Sequence, residues 1–126
     1  MIQEAYVSYE NAQLLKKKGF DERTLYHYTN CDVLQHNIVY NQYKNSEILN
    51  AYSAPTHQMA MAWLREVHKL HIAILWDCGA CIGKNSFCYH IYRIDNYEDR
   101  GYNKIGFDSN EEAVEAALKY SLENLL

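Results

Sequence analysis

Cys78-x-x-Cys81, followed by Cys88 and His90, is the group of residues in this chain best suited to chemistry. Two thiolates on a Gly-containing turn, with a Cys and a His on a returning strand, would supply the donors of a tetrahedral zinc site. Cys88 and His90 are two residues apart, so a strand puts them on one face. Two features weigh against the site: only six residues separate Cys81 from Cys88, and no second CxxC supplies the other knuckle of a zinc ribbon. The plain alternative is small buried thiols beside a turn. Redox use of the CxxC would want its first Cys at a helix N-terminus, where the thiol pKa falls. Here the motif leaves a strand and enters a turn.

A second group is His57, Arg65, Glu66, His68 and His71. Histidine is the usual general base near neutral pH. The spacing is not that of HExxH, because Glu66-x-His68 sends its two side chains to different sides of a helix. A His at the end of an element more often caps it or sits satisfied in the core. Any of the four Cys could act as a nucleophile with His27, His71 or His90, but none sits in a signature of a nucleophile family. The five Gly are scattered, and GACIGK has neither the spacing nor the ending of a phosphate-binding loop.

The third group is the twelve Tyr. Tyr26, Tyr28, Tyr40, Tyr43, Tyr89 and Tyr92 fall in segments expected to be strands. Aromatics on a sheet can stack single-stranded bases, but such surfaces are framed by Lys and Arg. These strands carry only Arg23 and Arg93. A Tyr face suits a protein contact or self-association better, with Tyr26, Tyr28, Tyr89 and Tyr92 as the interaction residues. Ordinary packing of core and rim is the competing explanation.

The element that must position these groups is Ala54–Asp77. Pro55 biases Ala54 away from the helical region, and Thr56 is a natural N-cap, with Ser53 competing. Met59, Ala60, Trp63, Leu64 and Val67 then recur at helical spacing. The period switches at once to two: Leu70, Ile72, Ile74 and Trp76 alternate with His71, Ala73 and Leu75. A strand with a nearly apolar second face suits the middle of a sheet, with the helix folded back over it. Upstream, Ser8 caps a helix that ends at Gly19-Phe20 with a Schellman signature, its Lys16-Lys17-Lys18 run reading as a solvated end that complements the dipole. Arg23–Tyr28 and His36–Tyr43 read as a hairpin, and Lys44–Ser53 as a loop. Ser86–Ile94 returns against Leu70–Trp76, and Tyr102–Phe107 is a further candidate strand. Ser109 and Glu112 form a capping box for a last helix buried through Ala113, Val114, Ala117, Leu118, Leu122 and Leu125. The expected architecture is α+β: an antiparallel sheet of about four strands packed with three helices, in the order α-β-β-α-β-β-α.

The 126 residues suit a single globular domain spanning 1–126. A net charge of −4 argues against generic attraction to nucleic acid or anionic membranes. No apolar run reaches the roughly 20 residues of a spanning helix, and Met1–Phe20 lacks the pattern of a signal peptide. Four unevenly spaced Cys then suggest free thiols in a reducing cytoplasm.

Three stretches, YVSYENAQLLKKKGFDE, APTHQMAMAWLREVHKLHI and NEEAVEAALKYSLENL, resemble a group of small proteins of Bacteroides-type gut bacteria and their phages and prophages. They cover about half of the chain, and the middle block, with its PT start and WLREVH core, is the most specific. Thr24–Asn50 departs from the group's pattern, being richer in Tyr and lacking its Gly-containing turn. The resemblance implies a bacterial or phage cytosolic setting. No activity or catalytic residue attaches to the group, so it transfers no site. The expected function is a non-enzymatic accessory or protein-interaction domain without a cofactor. The alternative is a small zinc- or thiol-dependent enzyme centred on Cys78, Cys81, Cys88 and His90. Third comes a nucleic-acid partner, which would require Lys16, Lys17, Lys18, Arg23 and Lys104 on one face.

Overall fold

The computed structural model describes residues 2–29, 33–36, 42–77, 85–96 and 98–126. Their elements are α1 (Tyr9–Lys17), β1 (Tyr26–Tyr28), β2 (Leu34–His36), a 3-10 turn (Asn45–Glu47), β3 (Tyr52–Ser53), α2 (His57–His68), β4 (Leu70–Asp77), β5 (Ser86–Arg93), β6 (Tyr102–Phe107) and α3 (Asn110–Tyr120), which runs into a π-helical turn (Ser121–Leu125). The chain is α+β, with two three-stranded antiparallel sheets ordered β2-β1-β3 and β4-β5-β6. Among the described residues six strands stand in place of about four, because Tyr52–Ser53, expected in a loop, pairs with β1 and Tyr102–Phe107 pairs with β5. The chain divides into two compact units, Met1–Ala60 and Met61–Leu126, with the division inside α2. Among the described residues, no helix is long and apolar enough to cross a membrane.

In the first unit, Ser8 caps α1 by accepting from the Asn11 amide at 3.2 Å. At the other end Gly19 takes φ +93°, and the Gly19 and Phe20 amides donate to the Lys16 and Leu15 carbonyls at 3.2 and 2.9 Å. That is the Schellman pair of bonds, and Phe20 and Leu15 are both buried behind it. Lys16 is not part of a solvated end. Its Nζ donates to the carbonyls of Ala51 (2.7 Å) and Ile48 (3.1 Å) and lies over the Tyr52 ring at 5.5 Å. Asn45 provides the other cross-tie: Nδ2 donates to the Phe20 carbonyl and Oδ1 accepts from the Ser53 amide, both at 2.8 Å. The expected hairpin is displaced, since β1 pairs with Leu34–His36, while Thr24 and Tyr43 form a separate bridge. Residues 37–41 of the expected strand lie outside the described residues.

Thr56 caps α2, its Oγ1 accepting from the Met59 amide at 3.1 Å. Ala60, Trp63 and Leu64 are buried as expected, and His57 joins them, but Met59 and Val67 are 38% and 55% exposed. The buried arc centres on Ala60 and Leu64; Met59 lies at its flank and Val67 in the last turn. One residue, Lys69, connects α2 to β4, and it takes φ +59°. A left-handed backbone costs an L side chain about 1–2 kcal/mol, of which a glycine gives back only part, roughly 0.5–1 kcal/mol, in chain entropy. Lys69→Gly is therefore expected to raise the urea midpoint and Lys69→Val to lower it; equal midpoints would contradict a left-handed connection.

Among the described residues β4 is an edge strand and β5 the centre of its sheet. This corrects the expectation that Leu70–Trp76 lies in the middle. Near-continuous apolarity gave that impression, but the partner on the far side belongs to β5, where β6 adds. The helix covering this sheet is α3, as the Tyr102–Tyr120 ring contact at 5.6 Å shows. Ser109 caps α3 by accepting from the Glu112 amide at 3.1 Å, and the returning Glu112 carboxylate accepts from Asp108, one residue earlier than an ideal capping box, at 3.1 Å. Ala113, Val114, Ala117, Leu118 and Leu122 are buried, and Leu125 is half-buried in the π-helical turn.

Candidate functional site

The register of β4 with β5 sorts the sheet of the second unit into two faces. Ile72 pairs with Ile91, Ile74 with Tyr89 and Trp76 with Phe87, and these share the face that α3 covers. Leu70, Ile72, Tyr89 and Ile91 are buried there. On the opposite face His71 pairs with Tyr92, Ala73 with His90 and Leu75 with Cys88, and Asn103 of β6 stands beside His90. The small Ala73 side chain leaves room for the His90 ring, which lies parallel to Tyr92 (centroids 6.0 Å, planes 11° apart).

None of these residues is an Asp, Glu, Lys or Arg. Leu75 and Tyr92 are 49% and 40% exposed, while Cys88 is buried. Trp76, next along β4, is 60% exposed and meets Phe87 edge-on at 4.9 Å. An aromatic pair fixed on a strand offers large contact area at little cost in side-chain entropy. The alternation of β4 was legible in the sequence, but the exposure of Leu75 and Trp76 was not. It follows from the strand's edge position and from where α3 ends its cover.

Of the four expected interaction tyrosines, two are core residues. Tyr28 is buried and donates from Oη to the Val7 carbonyl at 2.7 Å. Tyr89 is buried and stacked on Phe107 at 5.8 Å, and burial followed by the neighbouring Tyr120 raises its pKa. Tyr26 is half-buried against Tyr6, with centroids 4.7 Å apart, so Tyr92 alone of the four is well exposed. Cys88 and His90 share a face of β5 as expected, but Cys78 and Cys81 lie outside the described residues. Among the described residues, no cluster of three or more His, Cys, Asp or Glu could hold a metal. Burial of Cys88 also keeps a substrate from its sulfur.

The histidine group does not converge. His57 and His68 sit at opposite ends of α2, about 16 Å apart along a helix axis. Arg65 and Glu66 bond to each other at 3.3 Å, and His71 lies on β4 opposite Tyr92. Of the five basic residues, Lys16 holds loop carbonyls, Arg23 bonds Glu47 through Nη1 at 3.1 Å, Lys104 lies over the Phe107 ring at 6.0 Å, and Lys17 and Lys18 continue α1 and its cap beside Lys16.

His68 has a structural part that titration can read. It meets Trp63 edge-on at 4.7 Å, and burial lowers its pKa despite its place at a helix C-terminus, where the dipole favours a cation. The folded state thus favours neutral imidazole. Its contribution is fully present above the ordinary histidine pKa and is lost as pH falls from there through the lowered value. Urea midpoints between pH 8 and pH 5 are expected to fall more steeply for the wild type than for His68→Gln; parallel curves would contradict this.

Comparison with known protein families, with curated proteins and with solved structures finds no match.

Proposed function

We propose that this chain is a protein-interaction domain whose contact surface is the side of β4 and β5 turned away from α3, reached around the edge of β4 by Trp76 from the other face, and whose partner is a second copy of the chain. The observation that carries the reading is exposure without charge: Leu75 and Tyr92 are 49 and 40% exposed in a patch whose other members are His71, Ala73 and His90, and Trp76, on the other face at the end of the same edge strand, is 60% exposed. Interface cores are depleted in charge and enriched in Tyr and Trp. Charge also selects the partner. Two copies of a chain with net charge −4 repel each other, so a copy is best met through residues such as Leu75, Ala73 and Tyr92, which bring no carboxylate. The same lack of Lys and Arg disfavours nucleic acid there.

Size-exclusion chromatography with light scattering tests the proposal. The wild type is expected to move from one chain mass towards two as concentration rises, and Leu75→Glu/Trp76→Glu to stay at one. Both side chains are half-exposed or more, so the variant is expected to keep its fold, as circular dichroism would check. A wild type that remains at one chain mass into the hundreds of micromolar would sink the reading, as would a variant that still dimerises.

A further inference from the structure

Glu4, Tyr6 and Arg23 look like ordinary surface residues in the sequence, yet in the first unit they border one cavity of about 130 Å³. We propose that this cavity binds a small zwitterion of amino-acid size bearing a short aliphatic group. Its apolar wall is formed by Ala54 and Pro55, both buried, with Leu25 and Met59 beside them. Such a wall takes an aliphatic chain, while a few placed polar groups fix its orientation.

The rim supplies both signs of charge. Arg23 spends Nη1 on the Gln42 carbonyl at 3.0 Å and the Glu47 carboxylate at 3.1 Å. Those bonds hold the planar guanidinium still and leave the Nε and Nη2 donors, a pair whose spacing suits a carboxylate. Glu4 has no hydrogen-bond or ion-pair partner among the described residues and lines the same cavity. Tyr6 registers that carboxylate: burial, then Tyr26, then Glu4 raise its phenol pKa. An anion alone would meet Glu4 and a cation alone would meet Arg23, whereas a ligand with one of each meets opposite charge twice.

Size sets the class. A volume of 130 Å³, about four waters at roughly 30 Å³ each, takes the aliphatic end of such a ligand, and the open mouth leaves its charged end at the rim. Drug-sized ligands belong to pockets of about 300–1,000 Å³.

Three probes of similar shape test the inference by amide chemical-shift titration of the ¹⁵N-labelled chain: L-leucine, isovalerate (carboxylate only) and isoamylamine (ammonium only). L-leucine is expected to shift the Tyr6, Thr24 and Met59 amides and to bind at least ten-fold more tightly than either single-charge probe. Arg23→Gln is expected to bring leucine down to isoamylamine, and Glu4→Gln to bring it down to isovalerate. The wild-type series stands without any variant, so misfolding of a variant leaves the test intact. Failure of all three probes to move these amides at 10 mM, or equal affinity for all three, would overturn the proposal. Neither outcome bears on self-association through β4 and β5.

Discussion

Replacing Asn45 by Ala is expected to lower the unfolding free energy by about 2–6 kcal/mol, because it leaves two buried backbone groups without partners at about 1–3 kcal/mol each. The groups are the Phe20 carbonyl, which accepts from Nδ2, and the Ser53 amide, which donates to Oδ1. Asn45 is buried, as are Phe20 and Ser53, so water cannot readily replace the lost bonds. Asn45→Asp separates this account from simple loss of volume. A carboxylate keeps the acceptor for Ser53 but turns an oxygen on the Phe20 carbonyl, so its protonated form is the better fit and its folded pKa rises. The deficit of Asn45→Asp against the wild type should then be full at neutral pH and shrink as pH falls through that raised value. Urea unfolding at pH 7 and pH 4.5 measures both effects. A cost below about 1 kcal/mol for Asn45→Ala, the size of an ordinary exposed hydrogen bond, would show that the cross-tie carries little.

What could be read from the sequence was whatever is specified within one turn of the chain. Ser8, Thr56 and Ser109 cap helices as their side chains imply, and Gly19-Phe20 closes α1 with both Schellman bonds. The switch of period after Val67 located β4 almost to the residue. What could not be read was which elements meet. Lys16 looks like its two neighbours until Ile48 and Ala51 arrive from more than thirty positions along the chain and need a donor. Tyr28 and Tyr89 look like surface aromatics on short strands until Val7 and Phe107 close over them. The candidate surface follows the same rule. Alternation assigned His71 and Tyr92 to strands, but only the register set them face to face, and only the edge position of β4 left Leu75 and Trp76 exposed.

Leu118 and Val67 turn that difference between pattern and packing into a measurement. Both sit on the apolar stripe of a helix, and periodicity alone makes them equal members of a core. In the structure Leu118 is fully buried on α3, whereas Val67 is 55% exposed in the last turn of α2. Leu118→Ala deletes side-chain atoms from the layer against β5 and leaves a cavity that surrounding elements fill only in part, so a cost of about 2–5 kcal/mol is expected. Val67→Ala removes exposed methyl groups and relieves a β-branched residue within a helix, so it is expected to stay within about 0.5 kcal/mol and to err towards stabilisation. Chemical denaturation of the two variants beside the wild type decides between the readings. Similar large costs would mean that Val67 is covered and that α2 ends against a surface the structure leaves open. Similar small costs would remove α3 as the cover of the β4-β5-β6 sheet, and with it the reason for treating the opposite side as the one that faces a partner.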